Sequence, residues 1–357
     1  MNKPKGAKRS LVLAASVLLL AALVPATVAA SEGPAVVATI GLGPSPDATA
    51  FALAVNPNTN KTYVTPGLEP LGCESHIVSV IDNSTNTVLP PITTGLSPFG
   101  VAVNPKTNKI YVANAGGGIC TDEPSNTVSV IDGSTDTVVK NIALEGLGPA
   151  FVAVNPKTNK IYVTMSGGCC TDGDTVAVID GSTDTVLHYI SVDLDPFIVA
   201  VNPRTNLVYV TQGGQDEITV IDGSTDTVKA TFSIGSEARG IAFDSNGKFL
   251  YVAARTTNQL AVVDARTNTV VQTIPVGRRP HGVLFDPDNG RVYVTNRGGC
   301  NSTPGTVSVI DSQTKTVVAT VQAGTCPRFL DRSPRTGLLY VPNAYTDRSV
   351  SVIQDEG

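Results

Sequence analysis

The sequence predicts an all-β fold, a seven-bladed β-propeller with four antiparallel strands per blade and an N-terminal strand that completes the last blade. Three observations carry this reading. A Tyr-Val pair recurs seven times, at Tyr63, Tyr111, Tyr162, Tyr209, Tyr251, Tyr293 and Tyr340, with spacings of 48, 51, 47, 42, 42 and 47 residues. A Val-Ile-Asp type of strand end follows each pair, at Asp82, Asp132, Asp180, Asp222, Asp264 and Asp311, with Gln354 in the last copy. No sustained helical period runs between them. Units of 40–50 residues with four short strands each are the signature of propeller blades.

The first residues are set apart from the fold. Lys3, Lys5, Lys8 and Arg9 precede an apolar run from Leu11 to Val24, and Val28-Ala29-Ala30 offers small residues for cleavage. Residues 1–30 therefore read as a secretory signal peptide, and 31–357 as one propeller domain. The apolar run is shorter than the roughly 20 residues of a spanning helix, so no membrane span is expected once the leader is gone. Its removal takes four basic residues and no acids, leaving 21 basic against 30 acidic, which shifts the net charge from −5 to −9. That balance opposes nucleic-acid binding through bulk charge. The expected location is secreted, extracellular or at the cell surface, and periplasmic if the host has an outer membrane.

Each element follows from local chemistry. Before each Tyr-Val pair lies a turn such as Asn104-Pro105-Lys106-Thr107-Asn108, where Pro presets φ and Asn tolerates the left-handed region. After strand C comes Asp-Gly-Ser-Thr-Asp-Thr, identical from Asp132, Asp180 and Asp222. Both turns are expected to be structural, with side-chain oxygens capping backbone N–H groups. In blade 2 the strands read Val101-Ala102-Val103, Ile110-Tyr111-Val112, Val128-Ser129-Val130-Ile131 and Val138-Val139-Lys140-Asn141-Ile142. The last copy stops after its third strand. Ala35-Val36-Val37-Ala38-Thr39-Ile40-Gly41 matches the missing fourth, so the N-terminus should close the ring and remove its open edge.

Ile161-Tyr162-Val163-Thr164, Val292-Tyr293-Val294-Thr295-Asn296 and the Thr-Val-Ser-Val-Ile-Asp runs resemble the YVTN repeat family, to which the secreted YncE-like proteins belong. The resemblance spans residues 35–354. It implies the propeller fold and membership among surface-layer and periplasmic proteins; a YncE-like member is associated with DNA binding. Related propellers include lactonases, haem-d1 domains and lyases, so the fold does not choose a function.

The chain departs from its own repeat in the loops of one face, the top. Five of the six Cys lie in long B–C loops: Cys73, Cys120, Cys169, Cys170 and Cys300. The sixth, Cys326, enters blade 7. An even count in an exported chain suits disulfides, and Cys300–Cys326 is the expected pair because their loops should be neighbours. A vicinal Cys169–Cys170 bond with Cys73–Cys120 is one set for the rest. Alignment on the turn proline puts Phe51, Phe99, Ala150, Phe197, Arg239, His281 and Arg328 around the upper channel mouth, with Arg279 just before His281. Forked guanidinium donors at such a mouth suit a carboxylate, phosphate or sulfate. The competing expectation is that the arginines pair with Glu237 and Asp331, and that Phe51, Phe99 and Phe197 plug the bore.

No metal-ligand spacing, nucleophile elbow or phosphate loop occurs, so no metal, cofactor or catalytic residue is assigned. The reading is a binding or interaction module for a small anionic ligand, a surface polymer or a protein partner, with nucleic acid bound through a local basic patch as the weakest candidate. Two alternatives are kept: a lactonase- or lyase-type enzyme using His281 with the flanking arginines, and a structural spacer in a surface layer. Asn83-Ser84-Thr85 and Asn301-Ser302-Thr303 match the N-glycosylation pattern.

Overall fold

A computed structural model describes residues 33–43, 49–67, 75–116, 126–146, 148–166, 174–193, 195–300, 303–345 and 347–355. The leader at residues 1–30, Cys73, Cys120, Cys169, Cys170 and the Asn301 sequon lie outside the described residues. Residues 33–357 form one compact unit.

Among the described residues, twenty-eight strands build seven four-stranded antiparallel sheets. In blade 2 strands A to D are Pro98–Asn104, Lys109–Asn114, Thr127–Asp132 and Thr137–Ala143, and the first six blades repeat this order. The seventh takes its outer strand from the other end of the described chain. Ala35–Gly41 pairs antiparallel with Ser349–Gln354, from Ala35 opposite Gln354 to Gly41 opposite Ser349. Ring closure by the N-terminal strand is thus as the repeat count requires. Strand A of that blade shrinks to Asp331–Arg332.

The inner strands bury both faces, and the seven repeat tyrosines are all within the core, at 0–1% exposure. The turns cap themselves as expected: Asn104 Oδ1 accepts from Lys106 N at 3.1 Å, and Asp132 Oδ1 from Ser134 N at 2.7 Å. The Asn and Asp that end these turns sit at positive φ, Asn108 at 55° and Asp136 at 56°, a region those side chains tolerate.

The motifs also do something that turn chemistry does not disclose: at several joints they fasten one blade to the next. Tyr63 Oη donates to Asp136 Oδ1 at 2.7 Å while Lys61 Nζ meets Oδ2 of the same carboxylate at 2.5 Å. Lys109 and Tyr111 hold Asp184, and Lys160 and Tyr162 hold Asp226, at 2.6–2.8 Å. Nearer the axis Asn56, Asn104 and Asn155 each donate from Nδ2 to Asn108, Asn159 and Asn206 of the following blade at 2.7–2.8 Å. Ser333 Oγ to Asn60 Oδ1, 2.7 Å, carries the fastening from blade 7 to blade 1. Asn83 belongs to this buried framework. It is 2% exposed and its Oδ1 accepts from Thr62 Oγ1 at 2.8 Å, so in the folded protein this sequon is not presented for glycosylation.

Cys300 and Cys326 are disulfide-bonded, Cα to Cα 4.6 Å, joining the B–C loop of blade 6 to the segment entering blade 7. The bond closes a loop of sequence separation 26. Cys300→Ser/Cys326→Ser is therefore expected to lower the unfolding free energy by about 3 kcal/mol through restored chain entropy. Denaturant midpoints of the two proteins check this.

Candidate functional site: the upper channel mouth

Strand A of every blade lines the bore, and the residues at its upper end do meet. Phe51 and Phe99 lie 4.6 Å apart by ring centroids, and Phe99 and Phe197 6.1 Å. Two rings from the next position along the chain complete the group: Phe151, 5.1 Å from Phe99 and 5.0 Å from Phe197, and Phe329, 4.9 Å from Phe151 and 5.7 Å from Phe51. Alignment by the turn proline singles out Ala150 and Arg328 in those two blades and passes over Phe151 and Phe329. The signal was present in the chain, since a phenylalanine one step later can enter the plug where the aligned residue is small, as Ala150 is, or stacks on another ring, as Arg328 does on Phe51. Where the same next position is glycine, the backbones come together. A Cβ on Gly100 would stand 2.4 Å from the Ala150 carbonyl oxygen. The five rings make a tilted and edge-to-face plug, the arrangement that aromatic quadrupoles favour.

On this plug sit the basic residues. Arg239 lies over the Phe197 ring at 4.7 Å and Arg328 over the Phe51 ring at 5.1 Å. The apolar and basic sides of the mouth are therefore stacked on one another rather than separate. His281, 2% exposed, packs edge-on to Phe329 at 4.7 Å, with its Nε2 3.5 Å from Arg328 Nη1. Burial holds this imidazole well below its ordinary range, and Arg328, Arg239, Arg297 and Arg255 push it the same way. It is the neutral member of the group. Arg297 is 8% exposed and reaches Cys326 Sγ from Nε at 3.4 Å, which ties the disulfide to the mouth.

Glu237 joins Arg239 and Arg255, at 2.7 Å to Arg255 Nη1. Burial alone would raise its pKa, but Arg239 and Arg255 more than offset this and hold it ionised below the usual range. Asp331, the second acid expected beside the arginines, lines the lumen below. Its Oδ2 accepts from Val55 N and its Oδ1 from Arg332 N, both at 2.8 Å. Burial in that apolar wall pushes the carboxyl up to about 6. The lumen is a cavity of about 380 Å³ walled by strand A residues, with Phe151 and Phe329 at its end. Arg279 stands apart from the buried group: its side chain is exposed at a positive-φ turn, and its N donates to Asn258 Oδ1 at 2.8 Å. Of the other histidines, His188 is on an outer strand beside Asp226 and His76 is exposed at the start of a third strand.

The family model of the cytochrome D1 heme domain matches residues 169–293 and 201–343, overlapping segments that run from the outer two strands of blade 3 into blade 7. Among solved structures the fold is similar to Kuenenia stuttgartiensis hydrazine synthase, at 20% sequence identity and a TM-score of 0.73, covering 88% of this chain and 97% of that one. No curated protein sequence matches the chain. The chain is a β-propeller with a region similar to the cytochrome D1 heme domain.

Proposed function

We propose that this protein is an exported binding module of the YVTN, YncE-like kind whose upper channel mouth holds the anionic group of a small ligand or surface polymer. One observation carries the reading: Arg239 and Arg328 stack on the Phe197 and Phe51 rings beside a buried imidazole, Arg328 Nη1 lying 3.5 Å from its Nε2. A guanidinium stacked on a ring directs its N–H groups in plane, as Arg239 does toward Glu237, and this is the geometry that recognises a carboxylate, phosphate or sulfate. A low local dielectric strengthens each such bond. His281 contributes as a neutral wall residue. Its burial under Phe51 and Phe329 does not favour the alternative in which it exchanges protons with a substrate.

The residues of the upper bore do not fit a haem. A haem iron needs an axial side chain and the macrocycle needs a slot. The five phenylalanines plug the upper bore, and the imidazole among them turns its Nε2 to Arg328.

The test is thermal unfolding of the purified chain against sulfate, phosphate, sugar acids and short oligonucleotides, with Arg239→Ala/Arg328→Ala measured from its own baseline. A ligand at about 100 times its dissociation constant should stabilise by about 2.7 kcal/mol, a shift of several degrees. The double substitution should abolish it. No shift with any of these anions, or the same shift in the variant, would sink the reading.

A further inference from the structure

The fastening that joins one blade to the next is itself a measure of what is missing where it fails. It has three parts: a basic residue at the start of strand B, a carboxylate at the end of the next blade's C–D turn, and a side chain from strand D. Between blades 3 and 4 these are Lys160, Asp226 and His188, the last with Nε2 3.2 Å from the carboxylate. Between blades 2 and 3 they are Lys109, Asp184 and Lys140, whose Nζ donates to Thr183 O at 3.0 Å. Between blades 4 and 5 all three are cut back. Leu207 replaces the lysine, Asn268 the aspartate and Ala230, opposite Val220 in the sheet, the long strand D side chain. Tyr209 there turns its hydroxyl to the Ala265 carbonyl at 3.3 Å.

The space left is a pocket of about 500 Å³ between the two blades, within the size range of small-molecule sites. Its floor is apolar, from Leu207, Val220, Ala230 and Ala265. Its rim carries three exposed cations that the other joints lack in this combination, Lys229, Lys248 and Arg266, with the Lys248 ammonium over the Phe249 ring at 4.9 Å. Asp222 is the acid in the wall, and its Oδ1 already accepts from Ser224 N at 2.8 Å. The ring-closing joint is an internal control. It has the same replacements, Leu338, Asn86 and Ala38, but Val37, Asn60 and Ser84 stand where the three cations would be, and Tyr340 Oη reaches Asn86 Oδ1 at 3.1 Å. Loss of the fastening alone therefore does not bring a basic rim; the blade 4–5 joint has both.

We infer that this joint is a second ligand site, separate from the channel mouth, for a small organic anion with an apolar body. The apolar part fills the volume left by the missing side chains. The anionic group lies at the Lys248 and Arg266 rim, replacing the carboxylate that Asn268 does not supply.

Titration of the full chain with benzoate, followed by NMR or calorimetry, tests this, with benzamide as the neutral isostere. Saturable benzoate binding is expected below about 10 mM, with benzamide about tenfold weaker. Leu207→Lys/Asn268→Asp rebuilds the fastening of the blade 3–4 joint; it should raise the melting temperature and weaken benzoate at least about tenfold. Lys248→Ala/Arg266→Ala, at exposed positions that do not threaten folding, should weaken it similarly. Lys157→Ala, which removes an exposed cation of another blade, should leave it unchanged. No saturable binding, wild-type binding in both double variants, or an equal loss in Lys157→Ala would overturn the assignment.

Discussion

Above pH 10 the protein is expected to unfold over a narrow pH interval, with phenolate absorbance and loss of β-sheet circular dichroism rising together. Each of the seven repeat tyrosines is buried, and each phenol is pushed above its ordinary value of 10. Burial is the largest cause at every one; for Tyr209, Tyr251 and Tyr340 it carries the phenol up to about 12. The carboxylates of Asp136, Asp184, Asp226 and Asp355 push Tyr63, Tyr111, Tyr162 and Tyr293 further in the same direction. The sign follows. A folded pKa above the unfolded one means that the native state holds protons that the unfolded chain releases. The stability these groups contribute is complete below pH 10 and falls as pH rises through the folded values. The limiting slope is about 1.4 kcal/mol per tyrosine per pH unit, so seven together approach roughly 10 kcal/mol per unit. Few domains have a reserve larger than that. Phenols that titrate near 10 while the sheet signal persists would show that the tyrosines are not locked in the core as described.

The fold was legible because its period is long and its chemistry repetitive. The Tyr-Val pairs count the blades, the Asn-Pro and Asp-Gly turns mark the strand ends, and the unmatched Ala35–Gly41 segment finds the one open place in the ring. The Cys300–Cys326 bond followed from the adjacency of two loops in that ring. The mouth was legible in part. Phe51, Phe99, Phe197, Arg239, His281 and Arg328 do converge. Phe151 and Phe329 escaped because alignment tracks one position per blade, whereas packing lets a ring come from the next residue when its neighbour is small or points elsewhere. Arg279 illustrates the reverse: adjacency in the chain to Pro280 and His281 did not bring its exposed side chain into the buried group. The fastenings between blades were invisible from within any one repeat. Lys160 and Asp226 are 66 residues apart, and only the ring brings them together.

The same fastening gives a prediction about how the repeat can change. The Asp226 side chain is 4% exposed and serves Lys160 Nζ at 2.6 Å, Tyr162 Oη at 2.8 Å and His188 Nε2 at 3.2 Å. Asp226→Asn keeps a residue that tolerates its φ of 55°, as Asn268 does at the equivalent place. What it removes is charge, and it sets an amide against a partly buried ammonium. Breaking one side of a buried pair costs on the order of 4 kcal/mol. Lys160→Leu/Asp226→Asn removes both charges and reproduces the joint that nature already uses between blades 4 and 5. Its cost should be only about 1–2 kcal/mol, well below that of the single carboxylate substitution. Urea denaturation of the wild type, both single variants and the double variant forms a complete cycle, with an expected coupling of at least about 2 kcal/mol. Simple additivity would mean that lysine and aspartate act independently, and that the joint with Leu207 and Asn268 differs from its neighbours for some reason other than loss of the pair. The expected non-additivity explains why Leu207 and Asn268 occur together in this chain. Once one half of the fastening is lost the other half is a buried liability, so the two positions change as a unit, and the volume they leave becomes available to a ligand.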